Sequence, residues 1–222
     1  MIERVYERAS MVLDDVLVAT DDERIYSHLE ELGKNVLMTS DQHQSGTDRC
    51  SEALEHYETT TGKNFDVVVN IQGDEPFIEP KQIVQLMDIF HDDRTAQIAT
   101  LVKKIKDNGI LFDPNRPKVV FTTDNRALYF SRSPIPYCRS AGENDWHTKH
   151  TYYHHIGLYA YKSDVLHELS RLDAGDLEIC ESLEQLRWLE NGYTIKVDVT
   201  EFESFGIDTP FDLERAKELG LF

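Results

Sequence analysis

Two adjacent carboxylates, Asp74 and Glu75, follow a run of β-forming residues at 67–71, with only Gln72 and Gly73 in between. In open α/β sheets, ligands bind just beyond the carboxyl ends of the strands. Glycine lets the backbone approach a ligand closely, and Mg²⁺ favours one or two carboxylates together with substrate phosphates. The stretch therefore predicts either a magnesium ligand at Asp74 or a simple turn before the next helix, and the pattern alone favours neither.

A second stretch with the residue types for binding is DQHQSGTDR, at 41–49. Ser45 and Gly46 lead into a predicted helix, whose first backbone N–H groups favour an anion. An ordinary helix cap explains the same residues, and spacing alone favours the cap.

Further polar residues stand in otherwise apolar surroundings. Arg132 is the only charge in its segment, and its planar fork suits a carboxylate or phosphate. His155 and Tyr159 are four residues apart in a predicted strand, which places both on one face. Glu184 and Gln185 interrupt a leucine stripe in a predicted helix. The structural alternatives are a surface arginine, a hydrogen-bonded strand histidine and a solvated helix face.

The elements that must position these residues alternate between strands and helices. The predicted strands are 16–20, 36–40, 65–71, 97–105, 153–161 and 193–199. The predicted helices are 2–13, 22–32, 45–57, 80–90, 177–190 and a last helix that Pro210 begins and Asp208 caps. Residues 118–131 predict a β-hairpin, and 138–151 predict a mobile loop. This order predicts one α/β domain, 1–222, with a mostly parallel sheet and helices on both faces.

Composition limits the partners. The 222 residues carry a net charge of −18, which argues against a nucleic-acid or anionic-membrane surface. No apolar run is long enough to span a bilayer, and the first residues do not resemble a signal peptide. Three cysteines, far apart in the sequence, indicate reduced thiols in a cytoplasmic protein.

The order of several motifs carries a family resemblance over nearly the whole chain. The motifs are VATDDERI (18–25), HQSGTDR (43–49), NIQGDEP (70–76), ALYFSRSPIP (127–136), HIGLYAY (155–161), LEQLRWLENG (183–192) and GIDTPFDLE (206–214). Together they resemble the nucleotide-sugar-forming cytidylyltransferases, in particular the CMP-Kdo synthetases. The resemblance implies a Rossmann-like nucleotidyltransferase fold and formation of CMP-Kdo and pyrophosphate from CTP and Kdo, with Mg²⁺. It also implies a homodimer whose product feeds lipopolysaccharide synthesis.

The resemblance also implies roles for individual residues. Asp74 and Asp208 would bind Mg²⁺, and Arg132 would hold the Kdo carboxylate at the catalytic centre. The sugar hydroxyls would contact Gln72, Tyr159, Glu184 and Gln185, with His155 lining the same pocket. The nucleotide would contact Ser45, Gly46 and Gly73, and its base would lie near Thr20 and Asp21.

One departure from the family pattern concerns phosphate binding. The family normally begins with a strand and a loop of the form I-P-A-R-x-x-S-x-R-x-P-x-K, which these 222 residues do not contain. We therefore expect them to be an incomplete form of the working protein that aggregates or binds CTP weakly. The region 118–160 is expected to be a hairpin and loop extension that could mediate dimerisation. Two alternatives remain open: a CMP-sialic acid synthetase or other acidic-sugar nucleotidyltransferase, and a non-catalytic nucleotide- or sugar-binding remnant.

Overall fold

The computed structural model describes residues 1–203, 205–207 and 209–220. Its strands are β1 (Val18–Thr20), β2 (Val36–Met38), β3 (Val67–Asn70), β4 (Ile98–Lys104), β5 (Lys118–Phe121), β6 (Ala127–Ser131), β7 (Tyr153–Lys162) and β8 (Ile195–Val199). Its helices are α1 (Ile2–Ser10), α2 (Glu23–Glu31), α3 (Gly46–Thr61), α4 (Pro80–Asp92), α5 (Asn108–Phe112), α6 (Trp146–Lys149), α7 (Ser163–Leu169), α8 (Asp176–Glu181), α9 (Gln185–Glu190) and α10 (Pro210–Glu218).

The strands form two sheets. Strands β1 and β2 pair in parallel, and the other six form a second sheet in the order β6-β5-β7-β4-β8, with β3 also paired to β7. Strands β3 and β4 both run antiparallel to β7, while β8 runs parallel to β4, so β3, β4 and β8 share one direction. The predicted α/β class is confirmed. Strand β7 opposes this direction, and it is a central strand rather than part of the predicted 118–160 extension.

Strand β4 shows how helices come to cover both faces of the larger sheet. Ile98 and Val102 pack into one apolar cluster with residues of α3, α7 and α9. Ala99 and Leu101 point the other way, into a cluster with residues of α1 and α4. Because side chains alternate along a strand, one apolar run supplies both cores.

Local signals set most of the element boundaries. Ser45 caps α3 by accepting a hydrogen bond from the Asp48 N–H at 3.2 Å. Pro80 begins α4. Proline lacks a backbone N–H, but the N–H at this first position has no partner within a helix, so no hydrogen bond is lost. Gly33 follows α2 with φ 65°, a left-handed conformation that glycine adopts without strain. The predicted hairpin is also confirmed, since β5 and β6 pair antiparallel.

Two predicted elements differ from the structure. The helix expected over 177–190 is two helices, because Ser182 adopts a left-handed conformation with φ 51° between α8 and α9. Ile179 is consequently 66% exposed, although its spacing placed it on the apolar stripe. The mobile loop expected at 138–151 contains α6, whose Trp146 is buried against Leu111 and Tyr152.

The start of α10 corrects a capping assignment. Thr209 is the N-cap, and its hydroxyl accepts a hydrogen bond from the Asp212 N–H at 3.3 Å. Asp208, which the sequence predicted as the cap, lies outside the described residues. Among the described helices, none combines the length and the apolar composition that a membrane span requires.

Candidate active site

A cleft of about 700 Å³ separates β1 from β3, with α1 and α3 forming its other walls. Most of its lining is apolar, but Ser45, Gly46, Gln72 and Gly73 give one end polar character. The cleft lies between the two sheets. Three residues predicted to bind nucleotide and one predicted to bind sugar therefore line a common space.

The polar end depends on a close approach between α3 and the end of β3. Gln72 Nε2 donates a hydrogen bond to Asn70 Oδ1 at 3.2 Å. A Cβ atom on Gly46 would lie only 2.9 Å from Gln72 Nε2 and 3.3 Å from Asn70 Nδ2. Glycine at position 46 thus lets the Gln72 amide lie against the first residue of α3.

The remaining residues predicted to bind sugar form a neighbouring group. The rings of His155 and Tyr159 lie 5.1 Å apart, as their spacing in one strand predicted. Thr47 Oγ1 donates to Glu184 Oε2 at 3.1 Å, which joins the start of α9 to the start of α3. Tyr159 is paired in register with Asn70 across β7 and β3. Residues far apart in the sequence are therefore connected around the first turn of α3.

Several polar atoms of this group are buried without a hydrogen-bond partner in the described part of the chain. They are Tyr159 Oη, Glu184 Oε1, Gln185 Nε2 and Trp188 Nε1. Buried polar groups are nearly always hydrogen-bonded in native proteins, so each such atom calls for an explanation. Sequence reasoning missed Trp188, whose ring lies 5.0 Å from that of Tyr159, because a tryptophan on an apolar helix face indicates only a core residue.

Burial sets the protonation of the group. It lowers the pKa of His155 to about 3, so the imidazole is neutral at physiological pH. Thr100 Oγ1 lies 2.9 Å from His155 Nε2 and gives that ring a partner. Burial also raises the pKa of Tyr159, which keeps its hydroxyl as a donor. Desolvation raises the pKa of Glu184, an effect that the Ser45 and Thr47 hydroxyls oppose.

Arg132 contacts three backbone carbonyls. Its Nε donates to the Glu181 carbonyl at 2.6 Å, and its two terminal nitrogens donate to the Pro114 carbonyl at 2.9 Å and the Ser182 carbonyl at 3.0 Å. These bonds tie the end of β6 to the junction between α8 and α9. They use three of the five guanidinium N–H groups, and the contact of Arg132 with a substrate carboxylate stays a prediction.

Of the two predicted magnesium ligands, Asp74 lies among the described residues. The Ile207 N–H donates to the Asp74 carbonyl at 2.8 Å, which brings the C-terminal segment alongside the loop after β3. Asp208 itself lies outside the described residues, and no cluster of three metal-ligating side chains occurs among those described. A single protein carboxylate still fits Mg²⁺, which takes most of its ligands from water and substrate phosphates.

The residues predicted to lie near the base organise the ends of β1 and β2. Thr20 is buried, and its hydroxyl accepts from the Asp22 N–H at 3.1 Å. Asp21 pairs with Arg49 at 2.8 Å, and Arg49 also donates to Thr39 Oγ1 at 2.6 Å. Arg49 lines the cleft, whereas Thr20 and Asp21 are not among its lining residues. Their contact with a base stays a prediction.

Comparison with known proteins bears on these arrangements. A family model described as cytidylyltransferase matches residues 1–197. The chain belongs to the cytidylyltransferase family. The family resemblance inferred from the sequence motifs is therefore confirmed.

Curated members of this family share about half of the sequence. The 3-deoxy-manno-octulosonate cytidylyltransferase of Parabacteroides distasonis is 56% identical over 220 residues, which cover 97% of this chain and 86% of the relative. The protein of the same description from Bacteroides thetaiotaomicron is 54% identical over 221 residues, covering 98% and 86%.

Solved structures support the same cytidylyltransferase fold. A CMP:2-keto-3-deoxy-manno-octonic acid synthetase complexed with CTP has a TM-score of 0.88 and 38% identity, covering 99% of this chain and 87% of that one. A 4-diphosphocytidyl-2C-methyl-D-erythritol synthase from Anaerococcus prevotii, at 16% identity and a TM-score of 0.60, shares the fold alone.

Proposed function

We propose that this protein transfers the cytidylyl group of CTP to Kdo, an eight-carbon sugar acid, and releases pyrophosphate. The observation that carries the proposal is the group of buried polar atoms at Tyr159, Glu184 and Gln185, which have no hydrogen-bond partner among the described residues. A sugar with many hydroxyl groups is the class of ligand that satisfies such a group. The curated relatives named for this reaction support Kdo over sialic acid as the substrate.

The sugar pocket would work by hydrogen bonding. Tyr159 Oη and Gln185 Nε2 supply donors, while Glu184 Oε1 supplies an acceptor. Gln72, which is hydrogen-bonded to Asn70, adds an amide at the polar end of the cleft. A buried polar pocket discriminates strongly, because a sugar that lacks one hydroxyl leaves a protein group unpaired. The neutral His155 beside Tyr159 completes the wall without adding charge.

The nucleotide would lie at the polar end of the cleft, against Ser45, Gly46 and Gly73. In the transfer, the 2-hydroxyl oxygen of the sugar forms a bond to the α-phosphorus of CTP. The bond between that phosphorus and the bridging oxygen breaks, pyrophosphate leaves with the electron pair, and the hydroxyl proton passes to solvent. Such a reaction depends mainly on holding two substrates in line, which the shared first turn of α3 would do.

Asp74, with Asp208, would hold Mg²⁺ beside the nucleotide phosphates. When bound, the ion would offset the charge of the phosphates. Arg132 would hold the pocket wall through three backbone carbonyls, and its two remaining N–H groups would be available to the carboxylate of the sugar acid. We also propose a cytoplasmic homodimer, with the hairpin and loop that precede β7, residues 118–151, in the interface, and a product that enters lipopolysaccharide synthesis.

The direct test measures pyrophosphate release from CTP with either Kdo or N-acetylneuraminic acid as acceptor. We expect turnover with Kdo and little with the second sugar. Tyr159→Phe removes one hydroxyl from the pocket and is expected to raise the KM for Kdo while leaving that for CTP unchanged. Preference for N-acetylneuraminic acid, or no release with either sugar, would refute the proposal.

A further inference from the structure

The two oxygens of the Glu184 carboxylate have different surroundings. Oε2 accepts a hydrogen bond from Thr47 Oγ1 at 3.1 Å, across a sequence separation of 137 residues. Oε1 is buried and has no hydrogen-bond partner within the described part of the chain. Thr47 is only 1% exposed, so its hydroxyl has little access to water as an alternative partner.

We propose that Thr47 is a positioning residue. Its hydrogen bond holds Glu184 Oε2, so that Oε1 accepts a hydrogen bond from a hydroxyl of the sugar acid. The inference rests on the proposed function, because it assigns Oε1 to the same pocket. A carboxylate can rotate about its last side-chain bond, and a fixed donor on one oxygen removes that freedom. Thr47 thus selects the orientation in which the acceptor faces the pocket.

The Ser45 and Thr47 hydroxyls both lower the pKa of Glu184, but among the described residues only Thr47 makes a hydrogen bond to its carboxylate, at 3.1 Å. The ionisable and hydroxyl-bearing groups that interact with the carboxylate are the cap residue Ser45, Thr47, Asp48 and Cys50 from α3, Tyr159 and Tyr161 from β7, and Arg187 from α9. The one cation in this set, Arg187, donates twice to the Glu178 carboxylate at 2.6 Å and once to the Leu172 carbonyl. Its guanidinium is therefore oriented toward α8, and it does not direct the Glu184 oxygens.

The placement of Thr47 also connects the two substrate sites. It follows Gly46, which contacts the Gln72 amide at the polar end of the cleft. A nucleotide bound against the first turn of α3 would therefore hold the same turn that orients Glu184. We expect occupation of the nucleotide site to improve sugar binding in the unaltered protein and to do so less when the Thr47 hydroxyl is missing.

The test compares Thr47→Val, which replaces the hydroxyl with a methyl group of similar size, with Thr47→Ser, which keeps the hydroxyl. Thr59→Val is the matched control, since Thr59 lies exposed on the same helix and its hydroxyl donates to the Glu55 carbonyl. The readouts are KM for each substrate, kcat, and the pKa of Glu184 from carbon-13 NMR titration. Glu184→Gln identifies the resonance.

We expect Thr47→Val to raise the KM for the sugar acid by up to roughly tenfold to a hundredfold, the effect of losing the hydrogen bond between the sugar and the charged Glu184. The KM for CTP alone should change much less. The variant should also raise the pKa of Glu184, because the lost donor favoured the ionised form. Thr47→Ser should restore both quantities, and Thr59→Val should alter neither.

Two results would overturn the inference. The first is an unchanged pKa of Glu184 in Thr47→Val, and the second is a changed pKa with an unchanged KM for the sugar. If the unaltered protein makes no CMP-sugar, the proposed function fails, but the titration still decides whether Thr47 orients Glu184. A variant that loses its fold is replaced in the titration by Thr47→Ala, with the thermal transition recorded for each protein.

Discussion

Replacing Gly46 with alanine is expected to weaken sugar binding without unfolding the protein. The added Cβ would lie 2.9 Å from Gln72 Nε2, closer than non-bonded atoms approach. The amide must therefore move, and it can do so because the Gln72 side chain is exposed. In moving, it gives up its 3.2 Å hydrogen bond to Asn70 Oδ1 and leaves the polar end of the cleft.

The expected magnitudes follow from these contacts. Loss of the Gln72–Asn70 hydrogen bond costs about 1 kcal/mol, while alanine favours a helix over glycine by up to about 1 kcal/mol. The free energy of unfolding should therefore change by less than about 1 kcal/mol. A lost hydrogen bond from Gln72 to a sugar hydroxyl corresponds to about a fivefold rise in the KM for Kdo.

The assay is pyrophosphate release with Kdo varied at saturating CTP, together with urea unfolding of the same samples. Gly109→Ala is a matched control, because its Cβ would lie equally close, at 2.9 Å, to Asp107 Oδ1 at the start of α5. That variant should lose some stability through the Asp107 cap and keep its KM. An unchanged KM in Gly46→Ala, or a loss of several kcal/mol in stability, would refute the reasoning.

Three further predictions follow from the site and its supports. Asp74→Asn should keep the fold and lose most turnover, with a weakened response to Mg²⁺ in the pyrophosphate assay; near-normal activity across the titration would contradict the metal role. Arg132→Lys should lower the free energy of unfolding by about 2 kcal/mol, from two lost hydrogen bonds, and raise the KM for Kdo far more than the KM for CTP; equal effects on both KM values would contradict the carboxylate role. Burial lowers the pKa of Lys118 from 10.5 to about 8, so between these pH values only the unfolded chain holds the proton, and stability should rise with pH by at most about 3 kcal/mol. Lys118→Met should lack that rise in urea unfolding, and an equal rise in both proteins would exclude Lys118 as its source.

Elements with local signals could be predicted from the sequence. Pro80 at the start of α4 and Ser45 before α3 act through their immediate neighbours, so their effects are visible in a few residues. The nearly continuous apolar run of β4 likewise indicates that both faces of this strand are buried. The central place of β7 could not be predicted this way, because strand pairing depends on contacts distant in the sequence.

The candidate site shows the same division. The motifs identified Glu184 and Tyr159, but the pairing of Thr47 with Glu184 joins residues that no local pattern relates. The structural alternative for Glu184 and Gln185, a solvated helix face, is wrong for Gln185, which is 5% exposed. Periodicity treats the helix as continuous, and the turn before α9 changes which of its residues face inward.

That turn and the engagement of Arg132 have one physical origin. Glu181 accepts from Ser131 Oγ at 2.7 Å and from the Arg132 backbone N–H at 2.9 Å, while the Arg132 side chain holds the carbonyls of Glu181 and Ser182. The bonds from the Arg132 side chain use the carbonyls at the end of α8, which a continuous helix would pair with its own N–H groups. The chain therefore turns at Ser182, and Glu184 enters the pocket from the start of a new helix. The unbroken helix that the sequence predicted is incompatible with these bonds, because the Arg132 side chain is what satisfies the last carbonyls of α8.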